Sequence, residues 1–187
     1  VIGQALSSLT EKLKTNPETQ LFINISAQSF ADSEFLPWLQ KALSISKLAP
    51  NALIFQFREI DAVRYLNQAA ALCEEMKKAQ GQVGISNFGL AINPLKTLER
   101  IKADFVKVDR VIVEKLTNAD QGKAAQGKEE FQSIMGGMTG TGVDVIVPFV
   151  ETATIIPILW QQGVQYIQGH YINEPSFTMD YDFSEGP

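Results

Sequence analysis

Val83-Gly84-Ile85-Ser86-Asn87-Phe88-Gly89 is an apolar run that ends in two small polar residues and then Phe-Gly. A short run of this kind, bounded by turn-forming residues, reads as a strand. In a parallel β/α protein the polar residues at a strand's carboxyl end face the ligand pocket, so Ser86 and Asn87 fall where a site would be built. Both are uncharged, and the functional reading turns on that absence of charge.

The same unit repeats on either side. Upstream, residues 60–80 place Val63, Leu66, Ala70, Cys73 and Met76 at the 3.6 period and close in Lys77-Lys78 before Gly81, which predicts one helix. Before it, Leu53-Ile54-Phe55-Gln56-Phe57-Arg58-Glu59 is another strand with a polar end. Residues 33–47 carry Phe35, Leu36, Leu39 and Leu43 on one helical side, and Pro50-Asn51 turns the chain back. Gln20-Leu21-Phe22-Ile23-Asn24-Ile25-Ser26 reads as a strand buried on both faces, after a helix over 2–14 that Asn16-Pro17 closes. Downstream come a short helix from Pro94 to Ile101, the strand Asp104-Phe105-Val106-Lys107-Val108-Asp109 and a helical turn from Val111 to Leu116. Thr117 to Lys128 is polar and contains Gly, so it is expected to be an exposed, mobile loop or frayed connection. A helix over 129–139, the strand Val143 to Pro148, a helix from Thr152 to Gln162 and the strand Val164 to Gly169 complete the series.

Strands alternating with helices predict α/β architecture with a parallel sheet and right-handed crossovers. Six strands are counted, whereas a closed (β/α)₈ TIM-like barrel needs eight. The chain opens on a helix, so the first strands are expected to lie before Val1 and to be absent from this segment. At 187 residues, 45% hydrophobic and 20% charged, residues 1–187 are expected to form one domain. A formal net charge of −5 argues against DNA as a partner, while leaving room for a local basic pocket that takes one small anion. The single Cys73 excludes an intrachain disulfide, fits a reducing compartment, and lies on the apolar face of its helix as a buried small residue. No run of about 18 apolar residues and no signal-peptide pattern is present, which predicts no membrane span and a cytoplasmic location.

The strand ends collect Asn24, Ser26, Gln56, Arg58, Ser86, Asn87, Lys107, Asp109, Pro148 and Gln168. Barrel strands converge their carboxyl ends on one pocket, so a polar residue at each is a site signature, where an isolated one would be a satisfied core amide. The lone His170 follows Gln168-Gly169 on a turn, reads as solvated, and excludes a Ser-His-Asp arrangement. Gly136-Gly137-Met138-Thr139-Gly140-Thr141-Gly142 follows a helix and precedes a strand, the reverse of a P-loop, and reads as a flexible turn. Phosphodiester hydrolysis by two divalent ions needs several carboxylates aimed at one point, and most of these strand ends offer amides, a hydroxyl or a proline. The tail Met179 to Glu185 reads as a solvated end; alternatively Tyr181 and Phe183 alternate with charge as an added edge strand would.

In their order and intervals, these segments resemble the EAL domain, the (β/α)₈ phosphodiesterase of the bacterial second messenger cyclic di-GMP. Phe22-Ile23-Asn24-Ile25-Ser26 is similar to the family's V-N-x-S strand, whose Asn is a metal ligand. Leu53 to Glu59 resembles L-x-L-E-x-T-E, with Gln56 in place of the metal-binding Glu and Arg58 in place of Thr. Ser86-Asn87-Phe88-Gly89 falls on D-D-F-G without its two metal-binding aspartates, and Lys107-Val108-Asp109 keeps K-x-D, whose Lys helps to orient the catalytic water. Val147-Pro148-Phe149-Val150-Glu151 falls on A-E-G-V-E with Pro148 for the first Glu, and Gln168-Gly169-His170-Tyr171 with Glu174-Pro175 keeps Q-G-x-x and the closing Pro. The E-A-L signature itself is expected upstream of Val1.

The resemblance thus implies a degenerate EAL domain of the FimX type: a receptor that binds cyclic di-GMP without hydrolysis and without Mg²⁺ or Mn²⁺. It further implies a role in type IV pilus assembly and twitching motility, a PilZ-domain adaptor as partner, GGDEF or sensor domains upstream, and recruitment to the cell pole through partners. Arg58 would contact a phosphate or stack on a guanine, or else form an ion pair with its neighbour Glu59. Asp32 is placed to accept from a guanine N1-H and N2-H₂. Phe149, Glu174 and Pro175 would wall the other guanine, or serve as plain core and turn residues. The alternatives are a slow phosphodiesterase holding one metal with Asn24, Asp109, Glu151 and the Glu of the signature expected upstream of Val1, and a docking barrel that binds no nucleotide.

Overall fold

The computed structural model describes residues 2–46, 48, 51–117 and 120–178. The chain divides into two compact units, Val1–Val106 and Lys107–Pro187. The expected edge segment Met179 to Glu185 and the turn at Pro50 lie outside the described residues.

In the first unit, α1 (Ile2–Lys12) buries Leu6 and Leu9 and leads into β1 (Leu21–Asn24). A short helix α2 (Ala27–Ala31), not foreseen in the sequence, precedes α3 (Phe35–Ser46). β2 (Leu53–Arg58) is buried at every position until Arg58, as a strand covered on both faces should be. It pairs in parallel with β1, Asn24 opposite Gln56, and with β3 (Gln82–Phe88), Arg58 opposite Ser86. The helix expected over 60–80 is two helices, α4 (Glu59–Arg64) and α5 (Leu66–Lys78), because Tyr65 leaves helical geometry at φ −120° and ψ 45°. The break shifts the phase. Val63 is 50% exposed, and the buried face is Ala62, Ala69, Leu72, Cys73 and Met76. α6 (Pro94–Ile101) starts on a proline, whose fixed φ suits a first helical turn, and leads into β4 (Phe105–Val108) at the division between the units.

In the second unit, α7 (Arg110–Leu116) is followed by α8 (Gln121–Met138). Thr117 to Lys128 is therefore not a loop throughout: from Gln121 onward it is helix, begun by Asp120, whose side chain accepts from Lys123 N at 3.0 Å. The sequence hides this helix because its exposed first half is polar. Gly127 lies against α7, where a Cβ would stand 2.4 Å from Lys115 Cβ, so only glycine permits this close crossing. β5 (Asp144–Val147) pairs in parallel with the short β6 (Tyr166–Ile167). The helix expected over 152–162 opens with a 3₁₀ turn, Ala153–Ile155, before α9 (Ile156–Gln161). Among the described residues no helix is long and apolar enough to cross a membrane.

Candidate functional site

The first unit gathers part of the expected set at its strand ends. Gln56, 8% exposed, donates from Nε2 to Asn24 Oδ1 at 2.7 Å, so the two amides facing each other across β1 and β2 form one pair. Arg58 is exposed and Ser86 half-buried, at opposed register positions. Asn87 is exposed with φ 52°, a left-handed conformation that asparagine tolerates better than most residues. Ser26 is exposed, its Oγ 3.4 Å from Ser29 Oγ. Asp32, also exposed, accepts from Glu34 N at 2.9 Å and lines a hollow with Ile2, Phe35 and Trp38.

Two carboxylates outside the expected ligand set organise this unit. Glu59, 2% exposed, accepts with Oε2 from the backbone N–H groups of Gly89, Leu90 and Ala91 at 3.1, 3.1 and 3.0 Å. It therefore holds the loop that follows Ser86-Asn87. Asp61, 4% exposed, takes Arg58 Nε at 2.8 Å and Nη2 at 3.1 Å. Arg58 is thus ion-paired with Asp61 instead of the neighbouring Glu59. That hydrogen bond, and then the charge of Asp61, raise the Arg58 pKa above its ordinary value.

In the second unit Lys107 is half-buried, and burial lowers its ammonium pKa. Asp109, 6% exposed, caps α7 by accepting from Val111 N at 2.8 Å. Pro148 is buried. The next residue, Phe149, has φ 61°, is 43% exposed, and has the Arg110 guanidinium 4.8 Å from its ring centroid. Gln168 is exposed but fixed by its backbone, donating to Val147 O at 2.9 Å and accepting from Val150 N at 3.0 Å. Gly169 follows, and a Cβ there would stand 2.2 Å from Val150 O. His170 is exposed, as expected of a turn, with Nδ1 2.9 Å from Glu151 Oε2. Glu174 and Pro175 are exposed in irregular chain beyond β6. Among the described residues no three His, Cys, Asp or Glu side chains gather in a way that could hold a metal ion.

Parallel strands alternating with helices, with polar side chains at the strand ends, define an α/β protein. Residues 1–175 match the EAL domain family, and the chain belongs to it. Within that family it is similar to a crystallised FimX EAL domain, with a TM-score of 0.88 and 36% identity, covering 97% of this chain and 71% of that one. The FimX EAL domain of Pseudomonas aeruginosa bound to c-di-GMP gives a TM-score of 0.86, also at 36% identity and the same coverage of 97% and 71%. The fold class is accordingly the TIM-like α/β class of EAL domains. Among curated relatives, the probable cyclic di-GMP phosphodiesterase PdeA of Escherichia coli (strain K12) is 25% identical over 182 residues. The match covers 95% of this chain but only 24% of that relative.

Proposed function

We propose that this chain is a cyclic di-GMP receptor domain, one that binds the dinucleotide without catalytic metals and does not hydrolyse it. The observation that carries this reading is the amide pair at the ends of β1 and β2, Gln56 Nε2 to Asn24 Oδ1 at 2.7 Å. By resemblance these positions hold a metal-binding Asn and Glu in active members of the family. Here the second is neutral, and it occupies the oxygen of the first. A pair of divalent ions needs several anionic oxygens aimed at one point. Of the carboxylates of the first unit nearest the strand ends, Glu59 turns Oε2 to three backbone N–H groups and Asp61 holds Arg58 with both oxygens. In the second unit Asp109 caps α7 and Glu151 meets His170. These donors do not fit a two-metal centre.

They do suit a dianion with two purines. In the first unit, amide and hydroxyl donors at Asn24, Ser26, Gln56, Ser86 and Asn87, with the cation Arg58, take over the neutralisation that metals provide elsewhere. The missing carboxylates would have repelled the phosphates. The 36% identity to a FimX EAL domain that was crystallised with c-di-GMP supports this ligand. It also supports assignment to the FimX type; signalling through a PilZ-domain adaptor in type IV pilus assembly and twitching motility is what the sequence resemblance implies.

Isothermal titration of the full-length protein with cyclic di-GMP, with and without EDTA, tests the reading. Binding is expected to survive the chelator, and no linear pGpG is expected with Mg²⁺ or Mn²⁺. Metal-dependent release of pGpG would favour the second reading, a slow phosphodiesterase, for which the 25% identity to a protein named a probable phosphodiesterase speaks. Flat calorimetry would favour a docking domain that binds no nucleotide.

A further inference from the structure

Phe149 has a backbone conformation that bulky L-residues seldom adopt, at φ 61°. Such strain persists only where the surrounding structure over-determines it, and it clusters at ligand clamps. Both neighbours of Phe149 are fixed. Pro148 is buried, and Val150, 0% exposed, donates its N–H to Gln168 O at 3.0 Å and accepts from Tyr171 N at 3.2 Å. The chain is pinned on both sides of the strained residue, and the ring is turned outward, 43% exposed.

An outward aromatic ring on a strained backbone is otherwise a poor arrangement, since it leaves apolar surface in water. Here the Arg110 guanidinium lies 4.8 Å from the ring centroid, within cation–π range. Arg110 is in turn held from below: its Nε donates to Glu114 Oε1 at 2.6 Å, one turn along α7. Glu114, Arg110 and Phe149 therefore form a rank in which a carboxylate fixes a guanidinium and the guanidinium fixes a ring. An aromatic ring has two faces, and a cation on one leaves the other for a planar, electron-rich base.

We infer that Arg110 is a positioning residue, which holds Phe149 as a platform on which a purine base of the ligand stacks. This inference rests on the receptor reading above. Arg110 acts through the ring, so its contribution depends on the ring being present. A lysine in its place keeps the cation but loses the planar fork that Glu114 grips.

The test is a double-mutant cycle read by isothermal titration of the full-length protein with cyclic di-GMP. Arg110→Ala is expected to weaken binding roughly fivefold to tenfold, the scale of an exposed to partly desolvated cation–π contact. Arg110→Lys should recover part of that loss. Phe149→Ala should weaken binding at least as much, and adding Arg110→Ala to Phe149→Ala should change nothing further. Unchanged affinity in Arg110→Ala, with the unsubstituted protein binding normally, overturns the platform and leaves the receptor reading standing. An Arg110→Ala loss of the same size in the Phe149→Ala background also overturns it, because Arg110 would then act independently of the ring. No binding by the unsubstituted protein overturns the receptor reading and this inference with it.

Discussion

Arg58 is tied along one edge only. Its Nε and Nη2 meet both oxygens of Asp61, a carboxylate 6% exposed at its side chain, while the arginine side chain is 62% exposed. A guanidinium has five N–H donors in a planar fork, so this pairing fixes its direction and leaves further donors and both flat faces for a ligand. Arg58→Ala is expected to weaken cyclic di-GMP binding roughly tenfold to a hundredfold, the range of one lost charge-assisted hydrogen bond. Asp61→Asn should fall between, since it loosens the guanidinium without removing its charge. Calorimetry on the two variants checks this, and an unaltered affinity in Arg58→Ala removes the residue from the site. The sequence displays Arg58 as a polar strand end but conceals its partner. Glu59 is adjacent in the chain, yet it is 2% exposed and bound to the loop after β3, whereas Arg58 is exposed. Consecutive side chains at the end of a strand point to opposite sides, so the residue three positions on, in the first turn of α4, is the one within reach.

At the scale of elements, the loop from Gly89 to Ala91 hangs on one atom, Glu59 Oε2. Hydrogen bonds to a charged group contribute roughly 1.5 to 3 kcal/mol each, less when they share an acceptor. Glu59→Ala is therefore expected to speed amide exchange at Gly89, Leu90 and Ala91 by at least about tenfold, while β2, buried on both sides, stays protected. Hydrogen exchange read residue by residue decides it; equal protection in the variant would mean that other contacts hold the loop. Most elements were legible because each strand is a short apolar run and each helix carries an apolar stripe. The failures have two causes. A 3.6 period runs on smoothly through Tyr65, where the backbone breaks, so the stripe drawn over 60–80 included the exposed Val63. The first half of α8 is polar and exposed, and its only signal was Asp120 at the capping position.

For the molecule as a whole, Cys73 reports on the core. It is 1% exposed, and burial, reinforced by the charge of Asp104, pushes its thiol pKa up to about 12 from the ordinary 9.0. Above pH 9 the unfolded thiol loses its proton while the folded one keeps it, so the unfolded state binds fewer protons. The contribution is fully present below about pH 9 and is lost as pH rises toward 12. Denaturant titrations should show stability falling over that window, with a shallower fall in Cys73→Ala; identical slopes would mean that the thiol ionises freely in the fold. Fold class was legible at this scale because alternation of element types is a property of the whole chain. The division at Val106 was not, since it falls inside β4 with no linker composition to announce it. The amide pair between Asn24 and Gln56 carries a different kind of consequence. Neither group gains or loses a proton near neutrality, so under the proposed reading this pair adds no pH dependence of its own to nucleotide recognition.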